Sequence, residues 1–428
     1  MEAAVTCPTA LPASASGDDR SPFTVTVIGV DPSGHLARPI PADVLAVAGG
    51  KRHLEAHSPA GIATIPIAGN LDAVIEAISA VPGPVAVLAS GDPGWFGILR
   101  RLGEIDRPIE IHPAASSVAG AFARIGLTWE DALVVSAHGR DPRPAFATAL
   151  HGAKVAILTD DRTTPAVIAQ ALLDSGCGPR RVVVAERLGH RDEAVTSYDL
   201  TEAAKRSFAD PNVMLVLDET RNMNAEAAPS AAASPTALAH TRAATQWGRP
   251  VEDFEHRDGQ ITKPAVRAAA LAALGPGPGR LLWDIGCGSG SAAVEAAALG
   301  AGVIALDRDA AQLERARANA AAFGVGIGTV HGAAPDALAK LPDPDAVLIG
   351  GGGPDLEPII DLAASRCRDR IVIALATIER VAPAMRRLEA AGWRATAQLI
   401  EVSDLVPLGD GHRLAPRNPV LLVQGEHP

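Results

Sequence analysis

Aromatic residues are scarce in this chain: seven phenylalanines, five tryptophans and a single tyrosine, Tyr198, among 428 residues. Its cores must therefore be filled by Ala, Val, Leu and Ile. Lysine is also rare, and arginine supplies most of the positive charge. No uninterrupted apolar run approaches the roughly 18 residues that a membrane-spanning helix requires. The leading residues "MEAAVTCPTALPASASGDDR" have neither the positive stretch nor the apolar core of a secretory signal and read as a disordered leader over 1–21. The four cysteines, Cys7, Cys177, Cys287 and Cys367, lie far apart without metal-ligand spacing. A reduced, cytoplasmic chain with neither structural disulfides nor a bound metal fits that usage. The formal net charge of −11 argues against general nucleic-acid binding, which needs a basic surface.

What the chain does have is alternation. Short β-branched runs, such as "FTVTVIGV", "PVAVLAS", "KVAILT" and "RVVVAERL", alternate with alanine-rich helical patterns, the signature of α/β layers. The rhythm breaks once, at residues 222–245, where "NMNAEAAPSAAASPTALAHTRAAT" is rich in Ala, Ser and Pro and reads as a tether. The cut leaves a domain over 22–221 and another over 246–428, both of ordinary size. In the second half the runs "RLLWDIG", "GVIALDR", "GTVHG", "AVLIGG" and "RIVIALA" predict a parallel series. "TAQLIEVSD" and "NPVLLVQG" then close it as an antiparallel pair.

The stretch "LLWDIGCGSG" (281–290) followed by "SAAVEAAA" is a buried strand, a glycine turn and a helix start. Unpaired N–H groups at such a start favour polar or anionic ligand atoms. Nicotinamide, flavin, nucleotide and S-adenosylmethionine cofactors all suit that description. The dinucleotide fingerprint G-x-G-x-x-G would need a third glycine at position 291, where this chain has Ser291. The pattern here is Gly286, Gly288, Gly290, preceded by Asp284, and a second strand ends in Asp307, an acidic residue placed to accept from ribose hydroxyls.

This combination resembles the class I S-adenosylmethionine-dependent methyltransferases, with a Rossmann-like fold. The ordered set "WGRPVEDFEHRDGQITKPAVRAAALAAL", "VHGAAPDAL", "VLIGGGGPDLEPII" and "LAPRNPVLLVQG" narrows the resemblance to the decarboxylating methyltransferase domains of cobalamin biosynthesis, over nearly all of 246–426. It implies that Thr262 touches the cofactor, that Gly286, Cys287, Gly288, Ser289 and Gly290 cradle its amino-acid tail, that Asp307 binds the ribose and that Ala334 lines the adenine pocket. Relatives often carry an acidic residue where this chain has Ala333. Cys287 reads as a small filler, since nothing basic adjoins it to make a nucleophile.

The first half carries a different set. "VLASGDPGWFGILRRL" places Gly91, Asp92 and Pro93 between a strand and a helix. "IHPAASSVAGAFARIGLTWEDALVVSAHGR" and "ILTDDRTTPAVIAQALLDSG" follow. This order resembles the tetrapyrrole methylases, two-subdomain class III methyltransferases, and within them the branch that methylates the precorrin ring at carbon 5. The resemblance spans about 22–218 and implies a second S-adenosyl-L-methionine, one per domain, held by Gly91, Asp92, Pro93, Ser116 and Ser117. One departure is "GVDPSG" (29–34) where relatives often have a glycine-rich turn.

Both resemblances concern one pathway intermediate. They imply methylation of precorrin-6Y at carbons 5 and 15 with loss of the ring C acetate carboxyl, giving precorrin-8x; the alternatives are the same work on cobalt-containing intermediates of the anaerobic route, or another tetrapyrrole methylase. Homo-oligomers are common in both families, so self-association is expected. An oxidoreductase predicts the absent glycine at 291, and a carrier protein has no need of two cofactor loops. The substrate carries many carboxylates, which an acidic protein must meet with local cations. The candidates are His256, Arg257 and Lys263 on one expected loop, His412, Arg413 and Arg417 on another ("GDGHRLAPRNP"), and Arg140 of "SAHGRD" in the first half. No residue is assigned as a catalytic acid or base, and His138 reads as structural.

Overall fold

The computed structural model describes residues 23–221 and 247–427, apart from residues 258, 260 and 352. The expected leader at 1–21 and tether at 222–245 lie outside the described residues. The chain divides into two compact units, Met1–Gly120 and Ala121–Pro428.

The first unit is built on five parallel strands: β1 (Val25–Val30), β2 (Ala46–Gly49), β3 (Ala63–Pro66), β4 (Val85–Ser90) and β5 (Ile109–His112). Their order is β3-β2-β4-β1-β5. Helices α1 (Lys51–His57), α2 (Leu71–Ser79) and α3 (Leu99–Leu102) accompany them, and α4 (Ser117–Ile125) follows β5. Both faces of the sheet are buried. Val25, Val27, Val85 and Val87 point to one cluster, while Ile28, Val30, Ala86 and Leu88 point to the other. That is why β1 and β4 read as continuous apolar runs rather than alternating ones.

The second unit holds two sheets. One is mixed, with β6 (Leu133–Ser136), β7 (Lys154–Leu158), β8 (Arg181–Glu186), β9 (Ala194–Asp199) and β10 (Asn212–Leu217) in the order β6-β7-β10-β8-β9. It is joined by α5 (Arg143–His151), α6 (Pro165–Asp174) and α7 (Leu200–Ala203). The start of α6 is written in the sequence: Thr164 caps it by accepting the Val167 N–H, and Pro165 follows at the first turn.

The other sheet runs β13-β12-β11-β14-β15-β19-β16. Its strands are β11 (Leu281–Ile285), β12 (Gly302–Asp307), β13 (Gly328–His331), β14 (Ala346–Gly350), β15 (Arg370–Leu375), β16 (Arg394–Ile400) and β19 (Val420–Glu426). The first five are parallel, and β19 inserts antiparallel between β15 and β16, the closing pair expected from the sequence. Helices α8 (Pro264–Leu274), α9 (Ser291–Ala298), α10 (Ala310–Ala322), α11 (Leu356–Arg366) and α12 (Val381–Ala390) complete it. Between β16 and β19 the chain forms a two-stranded hairpin, β17 (Ser403–Leu408) with β18 (Gly411–Pro416).

The chain leaves β11 toward β12 and β13, then returns to the other side of β11 as β14. Such a reversal opens a crevice beyond the carboxyl ends of the central strands. The glycine loop and Asp307 both sit at that edge.

Candidate functional site

Trp283 and its neighbours bury β11, and the chain must then turn sharply into α9. Gly286, Gly288 and Gly290 all take positive φ, at 70°, 53° and 73°, a region in which side-chain-bearing residues are strained. Space forbids side chains at two of them as well. A Cβ on Gly286 would meet the Gly350 carbonyl oxygen at 2.9 Å, and one on Gly290 would meet Ala316 Cβ at 2.6 Å. The loop is therefore backbone laid directly against the end of β14 on one side and α10 on the other.

Asp307 closes this loop. One carboxylate oxygen accepts the Gly288 N–H at 2.9 Å, and the other accepts the Asp309 N–H at 2.9 Å. Each oxygen keeps a further lone pair for ligand hydroxyls. Ser289 is buried, and its carbonyl accepts from Asn319 Nδ2 at 2.8 Å, which ties the loop to α10.

Asp284 was read only as the residue that precedes the loop, and the structure gives it more weight. It is 4% exposed, and its Oδ2 has no hydrogen-bond partner. Burial, opposed by the Ala293 N–H and reinforced by Asp307, lifts its carboxyl to about 7. Cys287 is pushed far above the ordinary thiol range by burial, then by Asp284 and Asp307. An un-ionised thiol is a poor nucleophile, in keeping with the filler reading.

The entrance segment is held by a buried ion pair that the sequence did not reveal. Arg267 on α8 and Glu295 on α9 are 0% and 1% exposed and meet at 2.8 Å. Glu295 also accepts the N–H groups of Gly248 (2.7 Å) and Arg249 (3.0 Å). Arg267 donates to the carbonyls of Thr262 (2.6 Å) and Arg249, and its guanidinium lies over the Phe254 ring. The pair thus ties the backbone of Gly248, Arg249 and Thr262 to α8 and α9. The available signal was Arg267 within "ITKPAVR" and Glu295 within "SAAVEAAA", charges on otherwise apolar helix faces.

Ala334 packs partly buried after β13. Arg257 pairs with Asp309 at 3.1 Å, beside Asp307. His256 accepts from the Gly259 N–H at 3.2 Å, and Lys263 donates to the Gly259 carbonyl at 3.0 Å. His412 and Arg413 are not on a loop, as the sequence suggested, but on β18. The turn Gly409–Asp410 joins Leu408 to Gly411, and a two-residue turn of that type is a hairpin signal. Arg417 follows β18 and pairs with Asp404 at 2.6 Å. Asp404 helps hold it charged.

These residues suit the S-adenosylmethionine implied by the sequence. The orphan Asp284 oxygen suits a cationic ammonium, the side-chain-free loop admits an amino-acid tail, and Asp307 suits a ribose.

In the first unit the carboxyl ends of β1, β4 and β5 converge. The Gly91 N–H donates to the Val30 carbonyl at 2.7 Å, and the Ala114 N–H donates to the Gly91 carbonyl at 3.2 Å. Gly91 has φ 65°, and a Cβ there would press on Ser116 Cα at 3.0 Å. Asp92 accepts the Gly94 N–H at 2.8 Å, fixing the turn that Pro93 begins. Ser116 accepts from the Ala119 N–H at 3.2 Å, and Ser117 opens α4. Two neighbours escaped the sequence reading. His53 on α1 bonds Ser90 at 2.8 Å, and burial, then Arg52 and His57, lower it to about 4. Arg38 gathers Glu110 (2.9 Å) and His112 (3.0 Å) at the end of β5.

In the second unit, Arg140 is exposed within a loop stapled by Asp160, which accepts from the Gly139, Arg162 and Thr163 N–H groups. His138 contacts the Thr159 carbonyl oxygen at 3.1 Å.

Two families match the chain: Tetrapyrrole (Corrin/Porphyrin) Methylases over residues 41–204, and Precorrin methyltransferase domain over 252–426. The precorrin-6Y C(5,15)-methyltransferase (decarboxylating) of a Sinorhizobium species is 38% identical over 347 residues, covering 77% of this chain and 78% of that one. The chain belongs to the decarboxylating precorrin-6Y C(5,15)-methyltransferases.

Single-domain relatives of this family match one half at a time. The cobalt-precorrin-7 C(5)-methyltransferase of Salmonella typhimurium is 33% identical over 204 residues, 46% of this chain and 99% of that protein. Among solved structures, the C-terminal domain of precorrin-6Y C5,15-methyltransferase from Rhodobacter capsulatus aligns at 37% identity. It covers 43% of this chain and 99% of its own, with a TM-score of 0.39. As a member of this methyltransferase family the chain is an enzyme, and among the described residues no helix is long and apolar enough to cross a membrane.

Proposed function

We propose that this enzyme methylates precorrin-6Y at carbons 5 and 15 and removes the ring C acetate carboxyl, giving precorrin-8x, with one S-adenosyl-L-methionine bound in each half. The observation that carries the reading is the presence, in one chain, of two differently built loops. A G-D-P turn stands at the end of β4 and a G-x-G-x-G turn at the end of β11, in the order of the two matching families.

S-adenosylmethionine, when bound, supplies the methyl group as a sulfonium. In the first half Gly91, Asp92, Pro93, Ser116 and Ser117 would hold it. In the second half Thr262, the Gly286–Gly290 loop, Asp307 and Ala334 would do so. The chain needs no nucleophile of its own, since the ring carbons are electron-rich. Its contribution is to hold ring and cofactor in line, which can supply much of the rate. Decarboxylation needs an electron sink, and the conjugated ring provides one once a ring position takes up a proton.

Substrate carboxylates call for cations that are not already neutralised. Arg257 and Arg417 each have a carboxylate partner. Among the described residues no salt bridge to a carboxylate engages Lys263 or Arg413, so these two are the better anchors, with His256 and His412 beside them. The same reading expects a cytoplasmic homo-oligomer, which sedimentation of the purified protein tests.

The deciding experiment is anaerobic incubation of precorrin-6Y with the protein and methyl-labelled S-adenosylmethionine, read by mass spectrometry. A gain of two methyl groups with loss of one carbon dioxide is expected, and an unchanged substrate mass refutes the reading. The Salmonella match favours one alternative, the cobalt-containing substrate, and a parallel incubation with the cobalt-loaded ring separates the two.

A further inference from the structure

The N-terminal edge of the β11–β16 sheet, opposite the cofactor loops, is crowded by residues from the other sheet of the same unit. Gly302 begins β12, and the atoms a Cβ there would meet first are all in Ala147 of α5: Cα at 2.5 Å, O at 2.6 Å and C at 2.9 Å. Just before β13, Gly326 faces the Leu150 carbonyl at 2.8 Å, with Arg221 Nη1 and the His151 carbonyl both at 3.0 Å. Gly328, which opens β13, faces Ser175 and Leu150. From the other side, Gly176 (φ 64°) lies against Thr329 backbone. For each of these four glycines, the three nearest atoms all belong to the opposite segment.

The polar contacts agree. β13 is the outer strand of its sheet, with unpaired N–H groups along its free side. The Thr329 N–H, buried on that side, donates to the Gly176 carbonyl at 3.1 Å. Arg221 reaches the Gly324 carbonyl at 2.8 Å and the His151 carbonyl at 2.7 Å, one on each side of the junction. Arg368 pairs with Asp141 at 2.9 Å, and Arg143 stands 3.8 Å from Asp345. Around these, Ala147 and Leu150 of α5 belong to the same buried cluster as Leu281, Ile304 and Leu306. Backbone-to-backbone contact, a covered strand edge and a shared apolar cluster are features of a core rather than of a transient encounter between tethered domains.

We propose that residues 121–221 carry a permanent docking surface for the C-terminal methyltransferase sheet, seated on its N-terminal edge, and that the segment joining the two is not needed to hold them together. The glycine loop and Asp307 lie at the opposite, carboxyl end of the same strands. The inference is independent of which substrate the enzyme uses.

The test is a protease site placed within residues 222–245 of the full chain. After cleavage the two fragments are expected to elute together in size-exclusion chromatography at micromolar concentration. In the cut protein the Thr329 amide is expected to keep its protection against hydrogen exchange. Separation of the fragments, or loss of that protection with the fold intact by circular dichroism, overturns the proposal. A second arm uses Gly302→Leu, which touches no cofactor residue. The cut variant is expected to fall into two folded fragments, and fragments that stay together as tightly as the parent's overturn the proposal. A Gly302→Leu chain that fails to fold leaves the exchange measurement on the parent protein to decide.

Discussion

Removing the carboxylate of Glu295 strands a charge with nowhere to go. Glu295→Ala leaves the Arg267 guanidinium, 0% exposed, without its counter-ion, and leaves the Gly248 and Arg249 N–H groups without acceptors. Burial already draws Arg267 below the usual arginine range, and Glu295 is the largest influence opposing that. Breaking one side of a buried pair typically costs about 3–5 kcal/mol. If opening is local, amide protection over residues 248–262 should fall by roughly 10²–10⁴-fold, at one decade per 1.4 kcal/mol. Because Arg267 holds the Thr262 carbonyl, cofactor affinity in this half should fall with it. The control is the double variant Arg267→Met with Glu295→Leu. It removes both charges but leaves four backbone groups, the N–H of Gly248 and Arg249 and the carbonyls of Arg249 and Thr262, without their side-chain partners, at about 1–3 kcal/mol for each that water does not reach. Hydrogen exchange and urea denaturation measure both. A single-variant loss under about 1 kcal/mol would refute the clamp argument.

Other outcomes are as specific. Gly290→Val combines φ 73° with a Cβ driven into Ala316, so the product of labelled methyl transfer should carry one methyl rather than two, with its carboxyl retained. Gly91→Val should give the complementary pattern, methylated and decarboxylated at carbon 15 only, because its Cβ would press on Ser116. Asp284, near 3.8 when unfolded and about 7 when folded, holds a proton in the native state that the unfolded chain has lost. Its contribution to stability is therefore full below about pH 4 and is lost as pH rises to about 7, and Asp284→Asn should flatten that slope in urea titrations. His53 runs the other way. Lowered from 6.5 to about 4, it contributes fully above pH 6.5 and loses that contribution as pH falls toward 4, so exchange at the Gly91 amide should quicken over that window.

Sequence legibility followed chemistry. The glycine loop could be read because positive φ and close approach demand glycine itself, and the long strands because burial on both faces writes unbroken apolar runs. β2 ("AVAG") and β3 ("ATIP") were missed, being four residues each and nearly without β-branched pattern. β9 ("AVTSYD") was missed for a different reason: it is a half-exposed edge strand with a mostly polar sequence. The β17–β18 hairpin read as a loop because its strands are exposed and carry prolines, Pro407 and Pro416, although the Gly409–Asp410 dipeptide was there to be noticed. His53, Arg38 and the Arg267–Glu295 pair acquire meaning only from partners 28 to 74 residues away, which no local pattern encodes. The glycines of the docking edge look like ordinary turn residues until the opposing backbone is in place.

The shortage of aromatic rings has an optical consequence. Trp283 is 1% exposed, three residues before the first glycine of the C-terminal loop, its indole N–H on the Pro342 carbonyl and the Arg366 guanidinium 5.0 Å from its ring. With only four other tryptophans and one tyrosine to contribute background, its emission is an intrinsic reporter on the strand that feeds that loop. Replacing the other four tryptophans with phenylalanine would leave a single-tryptophan enzyme, in which occupancy of the C-terminal site could be followed in real time and separately from events in the first unit.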